Sequence, residues 1–154
     1  MVATTDIGAV KTARAYAKRL STTEHQVQIA IIDKRRGKPN DSDVMNVVGN
    51  VDNKDVLIVD DIVDTAGSLC NAAEAYVKNG AKSVRAVCTH AVLSPPAVER
   101  IQKSSIDHVW VSNTIYHERA YQKIEVVSVA NIFADAIKEI HNQGSVSGLF
   151  PERE

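Results

Sequence analysis

Residues 56–68 read VLIVDDIVDTAGS, and this stretch decides the fold. The apolar run Val56–Val59 is typical of a central parallel strand, which is buried on both faces. Two adjacent carboxylates, Asp60 and Asp61, follow the run, and we expect a helix to begin at Gly67. The stretch therefore predicts a buried strand that ends at carboxylates and is followed at once by a helix.

Strand-like and helix-like segments alternate on both sides of this stretch. Helical spacing and start signals predict helices at residues 9–20, 67–79, 95–103 and 130–142, the last of them amphipathic. Apolar runs predict strands at residues 26–32, 44–51, 56–59, 83–89, 108–111 and 125–128, with a loop at 33–43. Because strands alternate with helices, the sequence predicts an α/β fold. We expect a three-layer, doubly wound, mostly parallel sheet in a single domain, residues 1–154.

The composition argues against several broad classes of protein. The net charge of −1 over 154 residues gives no basic surface for nucleic acid or for a membrane. No apolar stretch approaches the roughly 18 residues of a membrane span, and the first residues lack the apolar core of a secretory signal. Cys70 and Cys88 have no metal-ligand spacing. We therefore expect a cytoplasmic protein that binds neither nucleic acid nor membranes.

The segment Asp64–Ser68, which reads DTAGS, has the features of a phosphate site. The first N–H groups of a helix have no intrahelical partner, and together with the helix dipole they attract anions. Gly67 lets the backbone approach a ligand closely, and the Thr65 hydroxyl adds a donor. The two adjacent carboxylates before it suit sugar hydroxyls or a hard cation. These features together predict a ligand with a phosphate at one end and vicinal hydroxyls or Mg²⁺ at the other.

A plainer interpretation assigns these polar residues to local structure alone. Asp64 or Thr65 would then only cap the helix, and Asp60 and Asp61 would be a solvated strand end. The basic segment 33–40, DKRRGKPN, favours the ligand site, because cations on a loop can neutralise a transferring phosphate. By itself such a segment could equally be a solvated surface. The basic and acidic segments together indicate a sugar-phosphate site.

Several segments resemble one family of enzymes. VLIVDDIVDTAGS resembles the ribose-5-phosphate loop of type I phosphoribosyltransferases. AIIDKRRGKPNDSDVMNVVGNV resembles the catalytic loop and next strand of the ribose-phosphate pyrophosphokinases, and THAVLS, SNTI and IHNQGSVSGLF also fit that family. The resemblance covers residues 5–150. It implies a type I phosphoribosyltransferase-like fold and transfer of pyrophosphate from Mg-ATP to ribose 5-phosphate, which gives phosphoribosyl pyrophosphate and AMP.

The resemblance also implies a role for each matching residue. Lys34 and Arg36 would be catalytic, stabilising the charge of the transferring group. Asp60 and Asp61 would hold the ribose hydroxyls, with or without metal, and Asp6 would bind Mg²⁺. The 5-phosphate would lie in a cradle formed by Asp64, Thr65, Ala66, Gly67 and Ser68.

The chain departs from the family in pattern and in length. It reads TTDIGA where the family reads SPDxGG, so Thr4, Thr5 and Ala9 differ. The family has two tandem domains, and this chain resembles only the C-terminal one. The implied partners are ribose 5-phosphate, ATP, an N-terminal domain and other copies of the chain, as a dimer or hexamer. We expect this chain alone to bind ribose 5-phosphate weakly and to make no phosphoribosyl pyrophosphate.

Two other functions fit the same fold. A stand-alone phosphoribosyltransferase would need a hood segment that reads a nucleobase, and the sequence offers no candidate. A non-catalytic ribose-phosphate-binding paralogue would typically lack the basic residues or the aspartate pair, and here both are present. Beside the site, His90 is expected to support neighbouring residues rather than to react.

Overall fold

One sheet of seven strands runs through the molecule. The structure, a computed structural model, describes residues 1–35, 44–118 and 121–150. The strands are β1 (Val2–Ala3), β2 (Ile29–Arg35), β3 (Val44–Val48), β4 (Asp55–Val63), β5 (Ser83–Ala91), β6 (His108–Ser112) and β7 (Ile124–Val127). The helices are α1 (Val10–Leu20), α2 (Gly67–Lys78), α3 (Ala97–Lys103) and α4 (Ala130–His141), followed by a 3-10 turn (Val146–Leu149). None of the helices within the described ranges is long and apolar enough to cross a membrane.

The strand order is β3-β2-β1-β4-β5-β6-β7. All neighbouring strands are parallel except β2 and β3, which are antiparallel. This arrangement confirms the expected α/β fold with a mostly parallel sheet. The strand order reverses between β1 and β4, and sheets of this kind bind ligands beyond the carboxyl ends of the strands at such a point.

Side chains of β4 alternate between two apolar layers, as the two-residue period of a strand requires. Val59 packs with Ala13 and Ala17 of α1 on one face of the sheet. Val56 and Ile58 belong to the larger core that also contains residues of α2 and α3. Helices therefore lie on both faces, which explains why β4 is a continuous apolar run.

The expected end of β4 at residue 59 is wrong. The strand continues to Val63, because its ladder with β5 extends past the carboxylates: Asp60 lies opposite Cys88, and Ile62 lies opposite His90. The two adjacent carboxylates are thus part of the strand itself. The helix begins only after a short loop, residues 64–66.

The expected loop at residues 33–43 is wrong for its first three residues. Residues 33–35 belong to β2, because an antiparallel ladder with β3 pairs Asp33 with Asn46 and Lys34 with Met45. The rest of the expected loop, residues 36–43, lies outside the described residues. The β2–β3 pairing is a long-range contact that the polarity of this segment does not reveal.

The end of α2 agrees with the sequence. Its last residue is Lys78, and Gly80 follows with φ +93°, in the left-handed region that glycine adopts without steric cost. The turn returns the chain to β5, whose carboxyl end lies beside that of β4.

Candidate functional site

The loop between β4 and α2 has an unusual backbone. Ala66, the residue before the helix, has φ 58° and ψ 12°, the left-handed conformation that costs a residue other than glycine about 1–2 kcal/mol. A left-handed residue beside a right-handed one turns successive N–H groups toward one side, which forms an anion-binding concavity. Gly67 opens α2 directly after it. The Ala66–Gly67 pair therefore has the backbone arrangement of such a concavity.

A cavity of about 200 Å³ lies at this loop. Its lining residues are Asp60, Ile62, Val63, Asp64, Thr65, Ala66, Gly67, Ser68 and Leu69. The cavity thus brings together all five residues of the expected phosphate cradle and one of the two expected sugar ligands. A larger cleft of about 910 Å³ lies at the opposite edge of the sheet, beside Met1 and Ile29, and contains none of the expected site residues.

Asp60 is held in place by two hydrogen bonds. The Thr5 hydroxyl donates to its Oδ2 at 3.1 Å, and the backbone N–H of Asp61 donates to its Oδ1 at 3.0 Å. Burial raises the pKa of this half-buried carboxyl above its usual range, and the Thr5 hydrogen bond works in the opposite direction. Asp61 is exposed and does not line the cavity.

Tyr76 of α2 fixes the end of β1, next to Asp60. Its buried hydroxyl donates to the backbone carbonyl of Thr4 at 2.7 Å and accepts from the Thr4 N–H at 3.3 Å. Burial raises the pKa of Tyr76, so the hydroxyl stays protonated and keeps donating at neutral pH. Since Thr5 follows directly, α2 supports the carboxylate as well as the phosphate loop.

Asp6 is exposed and lies before α1. Its Oδ1 accepts a hydrogen bond from the Ala9 N–H at 3.2 Å. Within the described residues, no group of three or more His, Cys, Asp or Glu side chains could hold a metal ion. Mg²⁺ usually has only one or two carboxylate ligands beside substrate phosphates and water. Asp6 follows β1 and Asp60 lies on the neighbouring strand β4, so two carboxylates of the kind that Mg²⁺ takes as ligands lie toward the same end of the sheet.

Lys34 lies at the same edge of the sheet, on β2. It is four residues beyond Ala30, and Ile62 is four residues beyond Ile58, while both Ala30 and Ile58 pair with Ala3. Lys34 therefore lies as far beyond the β1 pairing on β2 as Ile62 does on β4. Its side chain is exposed. Arg36, the second expected catalytic residue, lies outside the described residues.

His90 lies on the other side of the loop, opposite Ile62 in the β4–β5 ladder. Its Nδ1 is 2.9 Å from the Thr114 hydroxyl, which in turn donates to the Thr89 carbonyl at 3.1 Å. His90 therefore has a hydrogen-bonded partner that orients its ring at the carboxyl edge of the sheet. The supporting role expected for His90 stays a prediction.

The geometry thus places the loop expected to bind phosphate, an oriented carboxylate and a lysine toward one end of a mostly parallel sheet. A family model described as "Phosphoribosyl synthetase-associated domain" matches residues 15–151 of the sequence. The chain belongs to this family.

Curated relatives in the phosphoribosyl synthetase family are ribose-phosphate pyrophosphokinases. The enzyme of Clostridium acetobutylicum is 51% identical over 154 residues, which are 99% of this chain and 47% of the relative. The enzyme of Helicobacter hepaticus is 47% identical over 150 residues, 97% of this chain and 47% of the relative. The chain therefore spans about half the length of the curated relatives it matches.

Solved structures lead to the same family. Phosphoribosylpyrophosphate synthetase from Mycobacterium smegmatis superposes with a TM-score of 0.81 at 31% identity, over 93% of this chain and 45% of that one. A purine phosphoribosyltransferase from Pyrococcus horikoshii has a TM-score of 0.50 at 18% identity, over 99% of this chain and 80% of that one, and shows the fold alone. Together they confirm the phosphoribosyltransferase-like fold expected from the sequence.

Three residues at the site were not among those that the resemblance to the phosphoribosyl synthetase family implies. Thr5 differs from the family pattern, and that difference was the only signal for its bond to Asp60. Tyr76 gave no signal beyond its position on the apolar face of a helix. Arg100 gave none, although its guanidinium donates from Nη1 to the Thr65 carbonyl at 3.0 Å. Each acts through a contact between residues far apart in the sequence.

Proposed function

We propose that this chain is the ribose-5-phosphate half of a ribose-phosphate pyrophosphokinase. Residues 1–154 would be one domain, equivalent to the C-terminal half of the relatives, and an N-terminal domain and further copies of the chain would complete the enzyme. Its substrates would be ribose 5-phosphate and ATP, in the cytoplasm. The observation that carries this proposal is the single cavity of about 200 Å³ that joins the phosphate loop to Asp60.

Different residues of the chain would bind different parts of ribose 5-phosphate. The backbone N–H groups of residues 64–68 and the Ser68 hydroxyl would bind the 5-phosphate. Asp60 and Asp61 would accept hydrogen bonds from the ribose hydroxyls.

The reaction itself is a pyrophosphoryl transfer. The anomeric oxygen forms a bond to the β-phosphorus of ATP, the bond from that phosphorus to the α–β bridging oxygen breaks, and AMP leaves with that oxygen. The hydroxyl proton passes to water. Lys34 and Arg36 would neutralise charge on the transferring group, so the chain contributes positioning and electrostatics rather than a strong base. When bound, Mg²⁺ supplies charge neutralisation on the ATP phosphates, and Asp6 and Asp60 are the side chains here that would hold it.

Calorimetric titration of the chain with ribose 5-phosphate tests the proposal. We expect millimolar binding or tighter, while ribose, which lacks the phosphate, gives no measurable heat. Ser68→Ala should weaken ribose 5-phosphate and inorganic phosphate alike, by about tenfold, because it removes a hydrogen bond to a charged group. Asp60→Asn should weaken ribose 5-phosphate but leave inorganic phosphate unchanged. Asn71→Ala, on an exposed residue one turn along α2, is the matched control.

Two results would overturn the proposal. One is the absence of ribose 5-phosphate binding to the folded chain; the other is binding that neither Ser68→Ala nor Asp60→Asn weakens. Formation of nucleotide from a free nucleobase and phosphoribosyl pyrophosphate would instead establish a stand-alone phosphoribosyltransferase. We expect no AMP release by this chain alone, and release at a normal enzymatic rate would show that no second domain is needed.

A further inference from the structure

Arg100 of α3 contacts the phosphate loop from outside the cavity. Its Nη1 donates to the backbone carbonyl of Thr65 at 3.0 Å. The guanidinium also covers Gly67, since a Cβ placed on that glycine would lie 3.6 Å from Nη1. Arg100 thus connects a separate helix to the two residues on either side of Ala66.

Two spaces meet at Gly67. The first is the cavity of about 200 Å³, lined by Asp60 and residues 62–69. The second is a cleft of about 560 Å³ between α2 and α3, lined by Arg100 among others but not by Thr65 or Ala66. The two sets of lining residues share only Gly67. Arg100 therefore holds the Thr65 carbonyl toward the outer cleft.

The orientation of this carbonyl determines where the next N–H points. In a trans peptide the C=O and N–H groups point in opposite directions. Because the Thr65 carbonyl points to Arg100, the N–H of Ala66 points to the opposite side, where the small cavity lies. That N–H is one of the donors a bound phosphate would need.

Without Arg100, the steric cost at Ala66 favours a flip of the Thr65–Ala66 peptide. Ala66 has φ 58°, an uncommon value for a residue with a Cβ. A flip of the Thr65–Ala66 peptide would change this φ by about half a turn while ψ stays near 12°, which moves Ala66 to a negative φ in the bridge region and relieves the steric cost of the left-handed conformation. The same flip would turn the Thr65 carbonyl into the cavity, where its oxygen would repel a phosphate.

We propose that Arg100 is a positioning residue for the phosphate site: it holds the Thr65–Ala66 peptide in the orientation that presents the Ala66 N–H to the phosphate. The inference rests on the proposed function of the same loop. It adds a residue from α3 that touches neither substrate nor reacting atoms and acts only through the backbone it holds.

Titration of Arg100→Gln with ribose 5-phosphate and with inorganic phosphate tests this role. We expect both to bind about tenfold more weakly, because the glutamine amide is shorter and uncharged. Arg100→Lys should recover part of the loss, since an ammonium can still donate one hydrogen bond to the Thr65 carbonyl. Lys103→Gln is the matched control: it removes the same charge from the same helix, and the Lys103 ammonium pairs with Glu99.

A second variant separates positioning from a general loss of positive charge. Ala66→Gly removes the steric reason for a flip, because glycine adopts a positive φ without cost. The double variant Ala66→Gly/Arg100→Gln should therefore bind phosphate more tightly than Arg100→Gln alone. A lost charge would not be compensated in this way. The amide resonance of Ala66, followed by NMR during the phosphate titration, should shift strongly in the unsubstituted chain and weakly in Arg100→Gln.

The outcomes distinguish this inference from the proposed function. If the unsubstituted chain binds no ribose 5-phosphate, the proposed function and the role of Arg100 both fall. If it binds, and Arg100→Gln behaves like Lys103→Gln, only the role of Arg100 is overturned. If Arg100→Gln does not fold by circular dichroism, the Ala66 amide resonance of Arg100→Lys decides: phosphate binding as tight as in the unsubstituted chain without a shift of that resonance would overturn the role, and an affinity and a shift that fall or persist together support it.

Discussion

The helices α2 and α4 have the same length, 12 residues, and both carry an apolar face, yet they have different surroundings. In α2 the apolar face is buried, and the buried residues are Leu69, Cys70, Ala72, Ala73, Ala75 and Tyr76. None of the residues of α4 is buried. Its large apolar side chains are 58–68% exposed, namely Ile132, Phe133, Ile137 and Ile140. The same kind of pattern thus predicts a helix in both places but does not tell which neighbour the helix has.

The difference matters because the candidate site depends on α2. The proposed phosphate loop leads into the amino end of α2, and two turns later Tyr76 holds Thr4. Thr4 precedes Thr5, whose hydroxyl orients Asp60. The proposed phosphate end and sugar end of the site are therefore both attached to one well-buried helix, whereas among the described residues α4 has no hydrogen bond to either.

Tyr76→Ala should have the largest effect. It removes a fully buried aromatic ring from the core, which typically costs 3–5 kcal/mol in the free energy of unfolding. Urea denaturation followed by circular dichroism measures the loss. A loss below about 1 kcal/mol would show that α2 is no better packed than α4.

Tyr76→Phe isolates the hydroxyl from the ring. It keeps the packing but removes the donor to the Thr4 carbonyl, which should cost about 1–2 kcal/mol in the free energy of unfolding. We also expect ribose 5-phosphate to bind several-fold more weakly, since the chain next to Asp60 is held less firmly. An unchanged affinity with reduced stability would mean that Tyr76 supports the fold but not the sugar end of the site.

Thr5→Val should change the pH dependence of binding, with a smaller effect near neutral pH. Burial already raises the pKa of Asp60, and loss of the Thr5 hydrogen bond should raise it further. Because ribose hydroxyls bind the ionised carboxylate, affinity falls as the pH drops through this pKa, and in Thr5→Val it should fall at a higher pH. Thr5→Ser should restore the profile. The ligand's own phosphate titrates alike in all three proteins, so the difference between their profiles isolates Asp60.

The same pKa shift determines whether the free energy of unfolding rises or falls with pH. A carboxyl whose pKa is raised on folding binds its proton more tightly in the native state than in the unfolded chain. This proton stabilises the folded protein fully at a pH below the pKa that Asp60 has in the unfolded chain. The stabilisation is lost as the pH rises through the higher pKa that Asp60 has in the folded protein. The loss should extend to higher pH in Thr5→Val. A binding profile and a stability profile that both match the unsubstituted chain would show that Thr5 and Asp60 are not coupled.

Local patterns were sufficient for the part of the site that is continuous in sequence. The run Val56–Val59 predicted a central strand, and DTAGS predicted the loop that now lines the cavity with Asp60. The same patterns missed the continuation of β4 to Val63 and the strand position of Lys34, because pairing with β5 and β3 decides both. Arg100 could not be found in this way, since its contact with Thr65 spans 35 residues. Contacts between residues that are distant in the sequence cannot be predicted from local patterns.

The smallest effect is expected at α4. Ile137→Ala removes apolar atoms from a side chain that is 65% exposed, so the free energy of unfolding should change by less than about 0.5 kcal/mol. Leu69→Ala in α2 is the matched control, because Leu69 is only 2% exposed and its truncation should cost about 2–5 kcal/mol. Equal losses at both positions would mean that α4 is covered in solution. Sedimentation at several protein concentrations would then show whether a second copy covers it, since a loss that grows with association requires a contact between chains. A loss confined to Leu69→Ala would establish that burial against the sheet distinguishes the two helices.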